Sequence, residues 1–146
     1  MEDRYLFKAK RIDNGEWVIG YLYRLSENNP PFIMLRKYGE SYEVDEHTIC
    51  QCTGLKDKNG KLIYENDIVS HKYKKYTEEA TDYTLFGCIE KRKNYVIIWD
   101  NTMVYCGFRY HNSRNIFQFK NGTVSNGDDE VIGNIFDNPE LLESEG

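Results

Sequence analysis

The chain has 146 residues, a net charge of −5 and a pI near 5.3, which is length enough for one domain to bury its own core without metal or disulfide support. That acidic balance excludes bulk attraction to nucleic acid or anionic membrane, which needs clustered Lys and Arg; the charged start Met1-Glu2-Asp3-Arg4 and the lack of any run near the roughly 20 apolar residues that span a bilayer imply no leader and no membrane. Aromatic residues make up 14% of the chain, with 12 Tyr and 7 Phe, a bias that favours pleated strands.

In chain order, Tyr5 to Ile12 alternates, with Tyr5, Phe7 and Ala9 on one face and Lys8 and Lys10 on the other, as a half-buried strand does. Asp13-Asn14-Gly15-Glu16 turns it into Trp17–Tyr23, where Gly20 marks a bulge or a close backbone approach. Ser26 to Pro31 is a loop, Phe32–Leu35 a strand, Lys37–Glu40 a turn and Tyr42–Val44 a strand; Asp45–Thr48 has the composition of one helical turn before Ile49–Cys52.

The densest run of turn signals is 53–69. Asn59-Gly60 is the dipeptide of a type I′ hairpin turn between Leu55 and Leu62-Ile63-Tyr64. Glu65-Asn66-Asp67 is a second reversal, with Asn66 suited to left-handed space and Asp67 to bonding nearby amides, before Ile68-Val69 opens the next strand. His71 to Tyr83 is polar without a period and reads as a long loop. Strands follow at Gly87–Ile89 and Tyr95–Trp99, with Lys93-Asn94 as the turn between them. Asp100-Asn101 turns again, into Met103–Tyr110 and Asn115–Phe119. Asn121-Gly122 and Ser125–Asp129 are turn and loop, Val131–Phe136 is the last strand, and Pro139–Glu143 is a short helical segment with Pro in its first turn. The expected class is therefore mainly β, in small antiparallel sheets, with an SH3-like barrel portion from Ile63 to Phe136 and a short C-terminal helical turn.

The run Thr53-Gly54-Leu55-x-Asp57-x-x-Gly60-x-x-Ile63-Tyr64-Glu65-x-Asp67-Ile68-Val69 resembles the signature of the YopX-like phage protein family. Phe7 with Trp17–Tyr21, and Val131-Ile132-Gly133-Asn134-Ile135-Phe136-Asp137-Asn138-Pro139-Glu140-Leu141-Leu142, agree with it in the same order. The resemblance implies a single domain over 1–146: a hairpin region at 1–52, a barrel-like region at 53–136 and a C-terminal segment at 137–146. It also implies a small phage or prophage protein in the bacterial cytoplasm, and carries over no catalytic residue. Asn66 stands where the family usually has glycine, and Asn is the residue that best tolerates that replacement. Thr53, Gly54, Asp57, Gly60, Tyr64 and Asp67 are structural members of the motif.

Three function classes compete. Asp57 and Asp67, with Glu65, are carboxylates of the kind that perform acid–base work or hold a divalent metal, but turn hydrogen bonding explains them without chemistry. Lys72, Tyr73, Lys74, Lys75 and Tyr76 interleave cations with aromatics, and Lys91, Arg92 and Lys93 follow, which is a pattern for nucleic-acid binding, although Glu78, Glu79 and Asp82 dilute it. Cys50 and Cys52 with His47 lack the spacing of a zinc site, so Cys50, Cys52, Cys88 and Cys106 are expected as free thiols. His47, His71 and His111 stand near no nucleophile motif. The leading expectation is a non-enzymatic interaction protein, without cofactor or metal. Its tyrosines exceed what one small core hides, and the unprotected strands Val96–Trp99 and Ile116-Phe117 pair with a second copy or with a phage or host protein.

Overall fold

The computed structural model describes residues 5–35, 37, 39–76, 88–101, 106–111, 116–118 and 129–142. Two antiparallel sheets carry the chain. The first holds β1 (Phe7–Lys10), β2 (Trp17–Tyr23), β3 (Phe32–Met34), β4 (Ser41–Glu43), β5 (Cys50–Lys56) and β6 (Leu62–Tyr64), in the order β4-β3-β2-β1-β5-β6. The second holds β7 (Asp67–Tyr76), β8 (Cys88–Asn101), β9 (Cys106–His111), β10 (Ile116–Gln118) and β11 (Glu130–Asn134), in the order β10-β9-β8-β7-β11. Helix among the described residues amounts to 3-10 turns such as Glu46–Thr48, capped by the Asp45 carboxylate on the His47 amide, and Pro139–Leu142. No described helix is long and apolar enough to cross a membrane.

Neither sheet closes on itself among the described residues. The mainly antiparallel β expectation stands, as do the turns at 45–48 and 139–142. At Gly20 a Cβ would lie 2.1 Å from the Met34 carbonyl oxygen, so β2 and β3 meet there at a distance only glycine allows.

Several expectations fail, each for a local reason. Asn59-Gly60 does not form a type I′ turn, because only Gly60 has positive φ, at +82°; the Gly60 amide donates to the Asp57 carbonyl, closing a tight turn that glycine exits in left-handed space. His71 does not open a loop, for β7 runs on to Tyr76; the rest of the expected loop lies outside the described residues. Lys93-Asn94 is no turn, since β8 passes straight through it, with Lys93 opposite His71 and Asn94 opposite Ser70. Asp100 and Asn101 stay in the same ladder, opposite Gly107 and Cys106. The 121–128 turn signals fall outside the described residues.

The edge argument changes too. Val96–Trp99 lies in β8, between β7 and β9, so its backbone is paired on both sides. The Lys8 and Lys10 face of β1 is not an open one either: β1 is interior, and the two lysines, half-buried, pack against Trp17 and meet Asp67 and Asp137.

Among the described residues the buried side chains form three small cores. Ala9, Ile33 and Val44 lie on one face of the first sheet, and Leu6, Cys50, Cys52 and Tyr64 form a second cluster with Trp17 and Phe136 against it. Ile63 from β6 enters the third, with Val69, Tyr95, Ile97 and Tyr110 of the second sheet. A single strand, β6, thus contributes Tyr64 to one cluster and Ile63 to another, the alternation of a pleated strand carrying the joint between the sheets.

Candidate functional site

The motif residues build the joint between the sheets. Thr53 and Gly54 occupy a bulge of β5, between the pairs Cys52↔Tyr64 and Lys56↔Leu62. Gly54 takes φ +82°, and the Thr53 hydroxyl donates to the Ile63 carbonyl at 2.8 Å while accepting the Leu55 amide at 3.1 Å. Asp57 receives the Asn59 and Lys61 amides on Oδ1, each at 2.9 Å, and the Val131 amide on Oδ2 at 2.9 Å. Its carboxylate therefore folds the hairpin turn and ties it to β11. Burial pushes this carboxyl up, but the Val131, Lys61 and Asn59 amides together outweigh burial and hold it below the usual carboxylate range.

Asn66 has φ +71°, the left-handed geometry its sequence context calls for. Its amide donates to Ile97 and its carbonyl accepts the Ile135 amide, so this residue pins the reversal between β8 and the C-terminal turn. Asp67 does not reach forward along the chain. Oδ2 accepts the Tyr64 amide at 2.8 Å, three residues back, and Oδ1 meets Lys8 Nζ at 2.5 Å. The Lys8 ammonium also lies 4.9 Å from the Trp17 ring and 5.0 Å from the Tyr64 ring, a desolvated cation between two π faces and one carboxylate. Burial pushes the Asp67 carboxyl up, against the pull of Lys8.

A constellation absent from the sequence reading stands at the other end of the joint. Asp129 is fully buried; its carboxylate contacts His71 Nδ1 at 2.7 Å and accepts the Tyr110 hydroxyl. The His71, Tyr95 and Tyr110 rings pack at centroid distances of 5.0 to 5.9 Å. Burial and the neighbouring Asp129 drive the Tyr110 phenol strongly up, so it stays protonated and donates. The Asp129 carbonyl accepts the Lys58 amide, which joins this cluster to the motif turn. No local signal marks it, because the three residues come from β7, β9 and the entry to β11.

Cys50 and Cys52 are buried cysteines, and Cys50 is a free thiol. Burial pushes the Cys50 thiol up to about 11, and His47 lies exposed on the Glu46–Thr48 turn, with Nε2 4.0 Å from Glu46. Among the described residues no three His, Cys, Asp or Glu side chains gather as metal ligands.

The basic residues come together differently from a single groove. β7 and β8 pair from Ile68↔Val96 to Tyr76↔Cys88, setting Lys72 opposite Arg92, Tyr73 opposite Lys91, Lys74 opposite Glu90 and Lys75 opposite Ile89. Lys93 shares a face with His71 and Tyr95, its ammonium 5.9 Å from the Tyr95 ring. Lys72 and Arg92 point to the opposite face, where Arg92 donates to the Ser70 hydroxyl at 2.7 Å and carbonyl at 2.9 Å.

The fold and its joint define an antiparallel β protein in which a turn-rich hairpin locks two open sheets together. The chain belongs to the YopX protein family, whose model matches residues 7–143. Among solved structures it is similar to protein EF1440 from Enterococcus faecalis, at 25% identity and a TM-score of 0.50, over 93% of this chain and 96% of that one. No curated protein matches it.

Proposed function

We propose that this is a non-enzymatic accessory protein of phage or prophage origin that works in the host cytoplasm through protein contacts, self-association among them. The observation that carries the reading is how the motif carboxylates are used. Asp57 accepts three backbone amides, and Asp67 accepts one amide and the Lys8 ammonium, so the most distinctive residues of the chain serve folding. That use weighs against the acid–base or metal reading of the pair.

What supports contact with a partner is apolar surface on the first sheet. Ile19 is 47% exposed and Met34 38%, and both share a face with Tyr21, which pairs with Met34 across β2 and β3. Beside it β4, three residues long, is a sheet edge. Trp99, 43% exposed and edge-on to Phe108 at 4.9 Å, adds a second aromatic contact point.

An SH3-like arrangement of the second half belongs to the same reading. It is supported by the order β10-β9-β8-β7-β11, a meander of four strands whose fifth returns antiparallel to the first. Light scattering over a concentration series tests the function: mass above the monomer at micromolar concentration is expected, reduced by Ile19→Ser with Met34→Ser. A monomer at the highest soluble concentration, together with a pull-down from lysogenic lysate that retrieves nothing specific, overturns it.

A further inference from the structure

We propose that the outer part of the β7–β8 ladder is a ribbon-shaped arm that binds double-stranded DNA by entering a groove. The first observation is topological. β11 pairs with β7 only over Asp67–Ser70, and β9 pairs with β8 only over Val96–Asn101. Among the described residues, His71–Tyr76 and Cys88–Lys93 therefore pair with each other alone, a two-stranded ribbon of six rungs that runs about 20 Å past the sheet at ~3.3 Å per residue. Isolated ribbons of this kind are marginal in water, so a partner that orders both edges is a physical gain.

The second observation is charge. Those two strands hold Lys72, Lys74, Lys75, Lys91, Arg92 and Lys93 against the single acid Glu90, in a chain whose net charge is −5. The rest of the molecule is acidic and repels a polyanion, which directs any approach to the ribbon. Glu78, Glu79 and Asp82 lie between the two strands in sequence and are no part of the paired ribbon residues.

The third observation decides between kinds of nucleic acid. Cations stand on both faces: Lys93 on the face of His71, Lys72 and Arg92 on the other, with Arg92 held by two hydrogen bonds to Ser70. A flat contact with one backbone wastes half of such charge, whereas a groove presents phosphates along both walls. The major groove of B-form DNA, ~12 Å wide, admits a two-stranded ribbon, while that of duplex RNA is too deep and narrow. This inference is independent of the self-association reading, since it uses neither the Ile19 and Met34 face nor Trp99.

The test is fluorescence anisotropy of the full chain with a labelled duplex of about 20 base pairs, between about 50 and about 200 mM salt. Binding that weakens with a log–log salt slope near −3 to −4 is expected, roughly −0.9 for each phosphate contacted. Lys72→Gln with Lys91→Gln and Lys93→Gln should flatten that slope by about 2 to 3 while leaving the melting temperature in place; Lys56→Gln with Lys61→Gln should leave both unchanged. If the triple variant melts early, the three single variants replace it, each flattening the slope by about 1. No binding at the lowest salt, affinity unchanged in the ribbon variants, or equal affinity for single-stranded DNA or duplex RNA would each overturn the proposal.

Discussion

Lys8 on β1 and Asp67 at the start of β7, 59 residues apart in sequence, meet at 2.5 Å and carry one sheet's charge into the other sheet's buried carboxylate. Removing Lys8 alone leaves that carboxylate desolvated without a cation, a loss of about 3–5 kcal/mol. Lys8→Met should therefore lower stability by that order, and Lys8→Met with Asp67→Asn should be less destabilised than Lys8→Met alone, because the amide still accepts from Tyr64 without a buried charge. Urea unfolding of both variants measures it; a double variant no better than the single one refutes the coupling.

Asn66 makes a different test, of backbone alone. At φ +71° a β-branched residue is strained, so Asn66→Val should cost about 1–2 kcal/mol. Asn66→Gly relieves that angle and should raise stability modestly, less the weak contact of the Asn66 side chain with the Cys50 sulfur at 3.6 Å. Equal melting temperatures for the two variants would remove backbone strain as the reason for Asn66.

The contrast between these two residues shows what the sequence makes legible. Asn66, Gly60 and Asp57 shape turns within a few positions of themselves, so their types predict those turns, even though Asn59-Gly60 closes with a different turn from the one its composition suggests; their long-range bonds, Asp57 to Val131 and Asn66 to Ile97 and Ile135, have no such local signal. Lys8 reads as a solvated strand residue because nothing near it in sequence announces Asp67. The β7–β8 ribbon is illegible for a related reason: with polar residues on both faces it has no hydrophobic period, and Lys93-Asn94 resembles a turn although its pairing with His71 and Ser70 keeps it extended. The long-range pair Asp129 and Tyr110 carries no signal in one sequence at all.

Tyr110 and Asp129 give a graded prediction. Tyr110→Phe removes one donor from a carboxylate that keeps His71, for a loss of about 1–2 kcal/mol. Asp129→Ala strips the acceptor from both His71 and Tyr110 and should cost about 3 kcal/mol or more. Thermal or urea denaturation ranks the two; an Asp129→Ala variant as stable as Tyr110→Phe would mean the carboxylate is dispensable.

Cys50 should resist alkylation in the folded protein. Its thiol, pushed up to about 11 by burial, presents about 100-fold less thiolate than an ordinary cysteine at the same pH, besides being inaccessible. Iodoacetamide labelling followed by mass mapping should find Cys50 and Cys52 unmodified when folded and modified in denaturant. Rapid labelling of Cys50 in the native state would place it outside the core.

Acid should loosen the C-terminal turn. Asp137 accepts from Lys10 at 2.5 Å, from the Trp17 indole at 2.8 Å and from Asn134 at 3.2 Å, and these hold its carboxyl down at about 2. A carboxyl depressed on folding stabilises the folded state above its unfolded value, near 4, and that contribution is lost as pH falls towards 2. Because the side chain is 39% exposed, solvent screening keeps the contribution to about 1 kcal/mol. Asp67 works in the opposite sense: its raised carboxyl favours the folded state at low pH and adds nothing to acid unfolding. Asp137→Asn should therefore lower stability at neutral pH by about 1 kcal/mol and converge on the wild type by about pH 2. Trp17 fluorescence, reporting the ring that packs on Phe136 at 5.8 Å, follows the turn directly; a difference between the two proteins that stays constant from neutral pH to the acid limit would show that the Asp137 charge is not what anchors it.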